Sequence, residues 1–242
     1  MMRVLVTRPR ADAENTVQRL TARGIEAVVE PILDIRFLPV PPIDTAGAQA
    51  FLATSANGVR ALAAATPERA LPLFAVGEAS AAVARDLGFA PVRAASGDVN
   101  GLAALAAEVL SPAGGALIQA AASVEAGDLS GRLTDAGFEV RKIKLYESRA
   151  AESLSPALVE GLKSARIDAA MFFSPRTART FVTLAETAGV AEALMSVAAY
   201  ALSPAVAGAL RTVEWRAVRV SPRPEQKALF AIFDADRTAG KS

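Results

Sequence analysis

Hydrophobic and polar positions fall into short runs that recur in a fixed order along the chain. "RVLVTRPR" reads as a hydrophobic strand, followed by a helix over Asp12 to Ala22, a glycine stop at Gly24 and a second strand, "IEAVVEPIL". The plan returns in "GALIQAA", a helix around Gly127 to Ala136, Gly137 and "FEVRKIKLYE". The texts "LTARGIEAVV" and "LTDAGFEVRK" hold Leu, Gly and Glu in register.

A second pair interleaves with the first. "FLATSANGVRAL" and "MFFSPRTARTF" each run hydrophobic into a small hydroxyl residue and then into a helical pattern. They continue into "PLFAVGEASAAVARDLGFAPV" and "SVAAYALSPAVAGALRTVEWRAV", where a strand breaks at a small residue before a helix. Both then pass through a strand and a polar turn to the amphipathic stretches "ASGDVNGLAALAAEVL" and "VSPRPEQKALFAIFDA". Recurrence of strand, helix and strand predicts parallel sheets with right-handed crossovers and helices on both faces. The expected fold is α/β, with two lobes, each a doubly wound parallel sheet of about five strands flanked by helices.

Connection lengths decide which halves belong together. The short "SPAGG" joins the two middle segments, whereas the outer ones are reached through "RFLPVPPIDTAGA" and "SRAAESLSPALVEGLKSAR". Short connections join neighbours within a domain, and proline-rich straps leave one. The preferred organisation is a middle lobe over residues 38–148 inserted into a lobe built from residues 1–37 and 149–242, the two joined by a two-stranded connector. Two sequential domains are the alternative. Open α/β sheets bind ligands beyond the carboxyl ends of their strands, so the matched strand ends are expected to face a cleft between lobes.

Composition narrows the chemistry. With 52% hydrophobic and 21% charged residues among 242, the chain can bury a substantial core. No apolar run approaches the roughly 20 residues of a bilayer helix, and "MMRVLVTRPR" is too short for a signal-peptide core, so a cytoplasmic protein without membrane contact is expected. The chain has no cysteine and no histidine, which removes disulfides, thiolate chemistry, histidine-dependent triads and the usual zinc ligands. A net charge of +1 and 5% aromatic residues fit poorly with nucleic-acid binding, so any anion must be met locally.

The candidate residues sit at strand ends. Thr54 and Ser55 close one strand, with Asn57 where the next helix begins; capping is the simplest role for Ser55. The echo of that pattern supplies Ser174 and Thr177, with Pro175 suited to a first helical position and Arg176 offering a fork for a carboxylate. Gly77 follows another strand, and Ser80 lies in the first turn of its helix, near free amides that favour an anionic group. The spaced glycines of a dinucleotide fingerprint and the lysine of a phosphate loop are absent there, which argues against a nucleotide cofactor. Ser203 and Pro204 read as a cap. Arg8 and Pro9, with Arg10, bring positive charge to the end of the first strand, and Arg223 is a weaker candidate of the same kind. Asp98, Asn100 and Ser221 read as helix caps, and Phe172, Phe173 and Trp215 as core. Tyr146, one of two tyrosines, can donate a hydrogen bond to a leaving oxygen or orient a substrate.

Taken in order, "VLVTRPR", "LTARGIEAVVEPIL", "TSANGVRAL", "FAVGEASAAVARDLGF", "GFEVRKIKLYE", "FFSPRTARTF" and "VSPRPEQKAL" resemble the uroporphyrinogen-III synthase family over nearly the whole chain, from Val4 to about Phe233. The resemblance implies two α/β lobes and a monomeric lyase that works without metal or cofactor. It implies closure of hydroxymethylbilane, supplied by the preceding pathway enzyme, into the heme-pathway macrocycle with loss of water and inversion of ring D through a spiro intermediate. It implies that Ser80, Ser55 and Tyr146 match the family's helix threonine, strand-end serine and tyrosine. Two stretches depart from the pattern: "LIQAAASVEAGD" has Gln119, a substrate-binding candidate, where many relatives carry an arginine and glycine, and Ala205 and Val206 stand where some relatives have hydroxyls. The rival expectations are a non-catalytic two-lobe protein that binds a tetrapyrrole or other small molecule, and a sugar-nucleotide transferase, which lacks a recognisable nucleotide site.

Overall fold

The computed structural model describes residues 1–123 and 127–239. They divide into two compact units, Met1–Asp34 with Arg149–Ser242, and Ile35–Ser148. Along the chain, the first unit begins with β1 (Arg3–Val6), α1 (Arg10–Thr21) and β2 (Glu26–Val29). The chain then passes through β3 (Leu33–Phe37) into the second unit: β4 (Ala48–Ala53), α2 (Ala56–Ala65), β5 (Leu73–Ala75), α3 (Glu78–Asp86), β6 (Val92–Ala94), α4 (Val99–Val109), β7 (Ala116–Ala122) and α5 (Leu129–Asp135). It returns through β8 (Val140–Ala150) to α6 (Pro156–Lys163), β9 (Ala169–Phe172), α7 (Pro175–Thr187), β10 (Ala198–Ala201), α8 (Pro204–Gly208), β11 (Ala217–Val220) and α9 (Gln226–Ala239). The architecture is α/β, two sheets flanked by helices.

In the first unit the strand order is β11-β10-β9-β1-β2, with every neighbouring pair parallel. The period-2 alternation of these short strands sorts their side chains between two layers. Val4, Val6, Ala169, Met171, Ala198 and Tyr200 face α1 and α9, where they pack on Leu20, Leu229, Phe230 and Phe233. Leu5, Ala170, Phe172, Ala199 and Ala201 face the other way, onto α6, α7 and α8. Burial on both faces explains why the central strands β1, β9 and β10 read as continuous apolar runs.

The second unit's sheet runs β3-β8-β7-β4-β5-β6. Phe51, Ala53, Leu73, Ala75, Ile118 and Ala120 meet α2 and α3, while Ala50, Leu52, Phe74 and Leu117 meet Leu102 and Ala106 of α4 and Leu129 and Leu133 of α5. Along the chain the order advances from β4 outward to β6 and then jumps back across β4 to β7, so the direction of winding reverses between β4 and β7.

Several local expectations change. "IEAVVEPIL" is two strands, because Pro31 cannot donate to a ladder and restricts the residue before it; β2 joins one sheet and β3 the other. The carboxylate of that preceding residue, Glu30, accepts both the backbone N–H and the hydroxyl of Ser155, at 2.7 and 2.8 Å, and so fixes the start of α6. The helix expected from Gly127 begins instead at Leu129, after the Asp128 cap. In "LIQAAASVEAGD", residues 124–126 lie outside the described residues. Ser221 is not a cap: its hydroxyl donates to the Arg223 carbonyl at 2.6 Å, and α9 starts five residues after it.

Candidate functional site

The carboxyl ends of β4 to β7 and the middle of β8 converge on a cavity of about 610 Å³ whose lining residues all belong to the second unit. Its wall includes Thr54 and Ser55 after β4, Val76 after β5, Gly97 to Asn100 before and within α4, Ala122 of β7, Gly127, Asp128 and Arg132 around α5, and Tyr146 of β8. The cavity spans the point between β4 and β7 where the winding reverses, which is where open α/β sheets leave a crevice.

Ser55 and Tyr146 form the closest polar pair on this wall. Their hydroxyl oxygens are 2.7 Å apart. Ser55 is also the N-cap of α2, accepting the Gly58 N–H at 3.0 Å. A Cβ at Gly58 would be in ordinary contact with the Tyr146 ring at 3.6 Å and the Ala120 carbonyl at 3.4 Å, so the start of α2 packs close to both. Tyr146 is 6% exposed, its ring in the core and its oxygen on the wall.

Two matched loops build the opposite side. Gly97-Asp98-Val99-Asn100-Gly101 and Gly127-Asp128-Leu129-Ser130-Gly131 share the pattern Gly-Asp-x-x-Gly. In each the first glycine takes a positive φ, 107° and 91°, and the aspartate caps its helix by accepting the N–H of the second glycine, at 2.7 and 2.8 Å. A Cβ at Gly131 would collide with the Asp128 carboxylate. The two loops meet where Gly127 packs against the Val99 side chain. From sequence Asp98 reads only as a lone cap, and Asp128 and Arg132 escape notice; the repeated pattern is the signal that could have found all three.

The other expected residues of this unit take supporting positions. Asn57, in the first turn of α2, accepts from Arg60 at 2.9 Å. Gly77 is the N-cap of α3, next to wall residue Val76 and packed against Gly97. Ser80 is buried under the first turn of α3, away from the wall. Gln119 is 1% exposed in the middle of β7 and accepts from the Ser130 hydroxyl at 2.8 Å. It anchors α5 from within the core and is not among the residues that line the cavity.

In the first unit, the ends of adjacent strands β1 and β9 bring Arg8 and Phe173 together, with the guanidinium 4.4 Å from the ring centroid. Arg8 also donates to Gln226 at 3.2 Å, and Pro9 is the N-cap position of α1. Ser174 caps α7, accepting the Thr177 N–H at 3.1 Å and donating to its hydroxyl at 2.8 Å; Thr177 is buried and Arg176 half-buried beside it. Ser203 caps α8 through the Val206 N–H at 3.4 Å. These residues share the carboxyl edge of one sheet, where Ser174 and Ser203 cap the helix starts.

Among the described residues no group of three or more His, Cys, Asp or Glu is placed to hold a metal ion, and no helix is long and apolar enough to cross a membrane. The chain is a two-unit α/β protein with a cavity of mixed polar and apolar lining at the carboxyl edge of one sheet. A family model for uroporphyrinogen-III synthase HemD matches residues 14–231, and the chain belongs to that family. No curated protein matches it. Its fold is similar to that of uroporphyrinogen-III synthetase from Helicobacter pylori, at a TM-score of 0.64 and 15% identity over 97% of this chain and 99% of that one. It is similar also to a mutant uroporphyrinogen III synthase from Thermus thermophilus, at a TM-score of 0.56 and 19% identity over 100% of both chains. Membership supports a cyclising lyase activity on a tetrapyrrole.

Proposed function

We propose that the protein is a uroporphyrinogen-III synthase that converts hydroxymethylbilane into uroporphyrinogen III and water. The observation that carries this reading beyond family membership is the Ser55–Tyr146 pair at 2.7 Å on the cavity wall, a hydroxyl donor set on rigid elements at a strand-end crevice. In the proposed reaction Tyr146 donates a hydrogen bond to the ring A hydroxymethyl oxygen as its C–O bond breaks. The oxygen leaves as water with a proton drawn from solvent, and an azafulvenium-like cation remains. The substituted carbon of ring D attacks that cation to form the spiro intermediate. The bond from ring D to its original bridge then breaks, and the bridge recloses on the free α-carbon of ring D, which releases a proton. One water is lost overall and ring D is inverted.

No step needs a redox group or a metal, and the proposed enzyme works as a cytoplasmic monomer supplied by the enzyme that makes the linear tetrapyrrole. Catalysis of this kind rests on holding the chain bent, where well-aligned intramolecular reactions gain about 7–11 kcal/mol. The deciding experiment supplies freshly generated hydroxymethylbilane to the purified protein without metal or nucleotide. The products are then oxidised and the type I and type III isomers separated. Predominant type III is expected; type I alone, at the uncatalysed rate, overturns the reading, and tight binding without cyclisation assigns a binding role instead.

A further inference from the structure

We infer that Arg132 is a substrate-binding residue of the second-unit cavity, taking one peripheral carboxylate of the tetrapyrrole in a forked contact and thereby setting affinity for polycarboxylated substrates. This rests on the reading of the cavity as the tetrapyrrole site. Among the described residues lining the cavity, Arg132 is the one cation. Its side chain is exposed, and no carboxylate among the described residues pairs with it. The two carboxylates that share the wall are already engaged: Asp98 and Asp128 each accept a backbone N–H at the start of α4 and α5, where helix-end dipoles offset their charge. Among the described residues the guanidinium is the wall's charge without an ion-pair partner, and its planar fork suits a carboxylate better than the other groups there.

The element that carries it is fixed from beneath. Leu129 and Leu133 are buried in the core, and the Ser130 hydroxyl donates to buried Gln119. Position 132 is therefore held on the wall by a helix whose opposite face is locked, so little ordering is required on binding. Gln119 acts as a positioning residue for α5, which gives the polar side chain in an otherwise apolar strand a role without direct substrate contact.

The test compares wild type with Arg132→Gln and Arg132→Lys, each first shown to be folded by circular dichroism and thermal midpoint. With hydroxymethylbilane, Arg132→Gln is expected to raise KM about tenfold, with kcat within about twofold of wild type and a flatter dependence of KM on salt. Arg132→Lys, which keeps the charge and loses the fork, should fall between the two. In parallel, binding of the octacarboxylate uroporphyrin III and the tetracarboxylate coproporphyrin III is measured by fluorescence. A loss in Arg132→Gln for the first alone assigns the contact to an acetate, and a loss for both assigns it to a propionate. Unchanged KM and unchanged porphyrin binding in Arg132→Gln, with type III still formed by wild type, overturn the assignment of Arg132 alone. Absence of type III from wild type overturns the function, and the porphyrin titration then still decides whether Arg132 holds a carboxylate.

Discussion

The hydroxyl of Ser55 lies 2.7 Å from the phenol oxygen of Tyr146 while accepting the Gly58 N–H at 3.0 Å, so one serine joins the start of α2 to the aromatic residue of the cavity wall. A hydroxyl that accepts from a helix-end amide becomes a better donor, because hydrogen bonds in series polarise one another. The phenol is thus held by a group whose own position is set by the backbone. Tyr146→Phe should leave the fold and KM near their wild-type values and lower kcat by about a hundredfold, the lower end of what one hydrogen-bond donor aimed at developing charge supplies. Residual turnover is expected because the proposed holding of a bent substrate in the cavity does not depend on this one hydroxyl. Steady-state kinetics with isomer analysis check this, and complete loss of turnover in a folded Tyr146→Phe protein would refute the assisting role.

Ser55→Ala removes two functions at once. The cap of α2 is lost, at a cost of about 1 kcal/mol seen as a lower urea midpoint. The phenol also loses its bond to Ser55, so kcat should fall, though by less than in Tyr146→Phe. If Ser55 acts on turnover through Tyr146, the double variant should be no slower than Tyr146→Phe alone. Additive rate losses would mean that Ser55 meets the substrate independently.

The one tryptophan gives the first unit its own reporter. Trp215 stacks edge-on to fully buried Phe172, with centroids 5.6 Å apart, and Phe172 in turn meets Phe181 at 5.3 Å. Truncation of a buried phenylalanine costs about 3–5 kcal/mol through lost transfer energy and the cavity left behind. Phe172→Ala should therefore move the Trp215 fluorescence transition to markedly lower urea, and Phe172→Leu by less. Equal midpoints for the two variants would show that the site collapses around the void.

Much of this fold is legible in the chain because the central strands are buried on both faces and several are followed by a helix with a serine cap. "RVLV", "AAMF" and "AAYA" announce themselves as apolar runs, and Ser55, Ser174 and Ser203 cap the helices that follow their strands. The break at Pro31 is hidden by the surrounding apolar residues, which continue the pattern on both sides of it. Gln119 misleads for a different reason: a polar residue in an apolar strand reads as a ligand contact until its buried partner, Ser130, is known, and the partner lies across a loop. The wall itself has no linear signature, since Thr54, Gly97, Asp128 and Tyr146 are brought together by crossovers. Only the doubled Gly-Asp-x-x-Gly pattern links two of its sides in the sequence, and the alanine-rich stretch ahead of the second copy masks the helix start that it marks.

Tyr200 makes the first unit sensitive to alkali. Its phenol is buried beside Phe233 and donates to the Asp236 carboxylate at 3.0 Å, which Arg219 also holds at 2.9 Å. Burial first, then the bond to Asp236 and its negative charge, push the phenol up to about 12, against a smaller opposing pull from Arg219 and Arg216. An unfolded tyrosine loses its proton near pH 10. The neutral phenol is the form the fold prefers, so its contribution is fully present below about pH 10 and is lost as pH rises through about 12. Urea midpoints followed by Trp215 emission should fall steeply across that window in wild type and less steeply in Tyr200→Phe, which has no proton to lose. With only two tyrosines in the chain, absorbance titration of a Tyr146→Phe protein reports Tyr200 directly. Ionisation near pH 10 in the folded protein would show that water reaches the phenol and that its bond to Asp236 does not hold the proton.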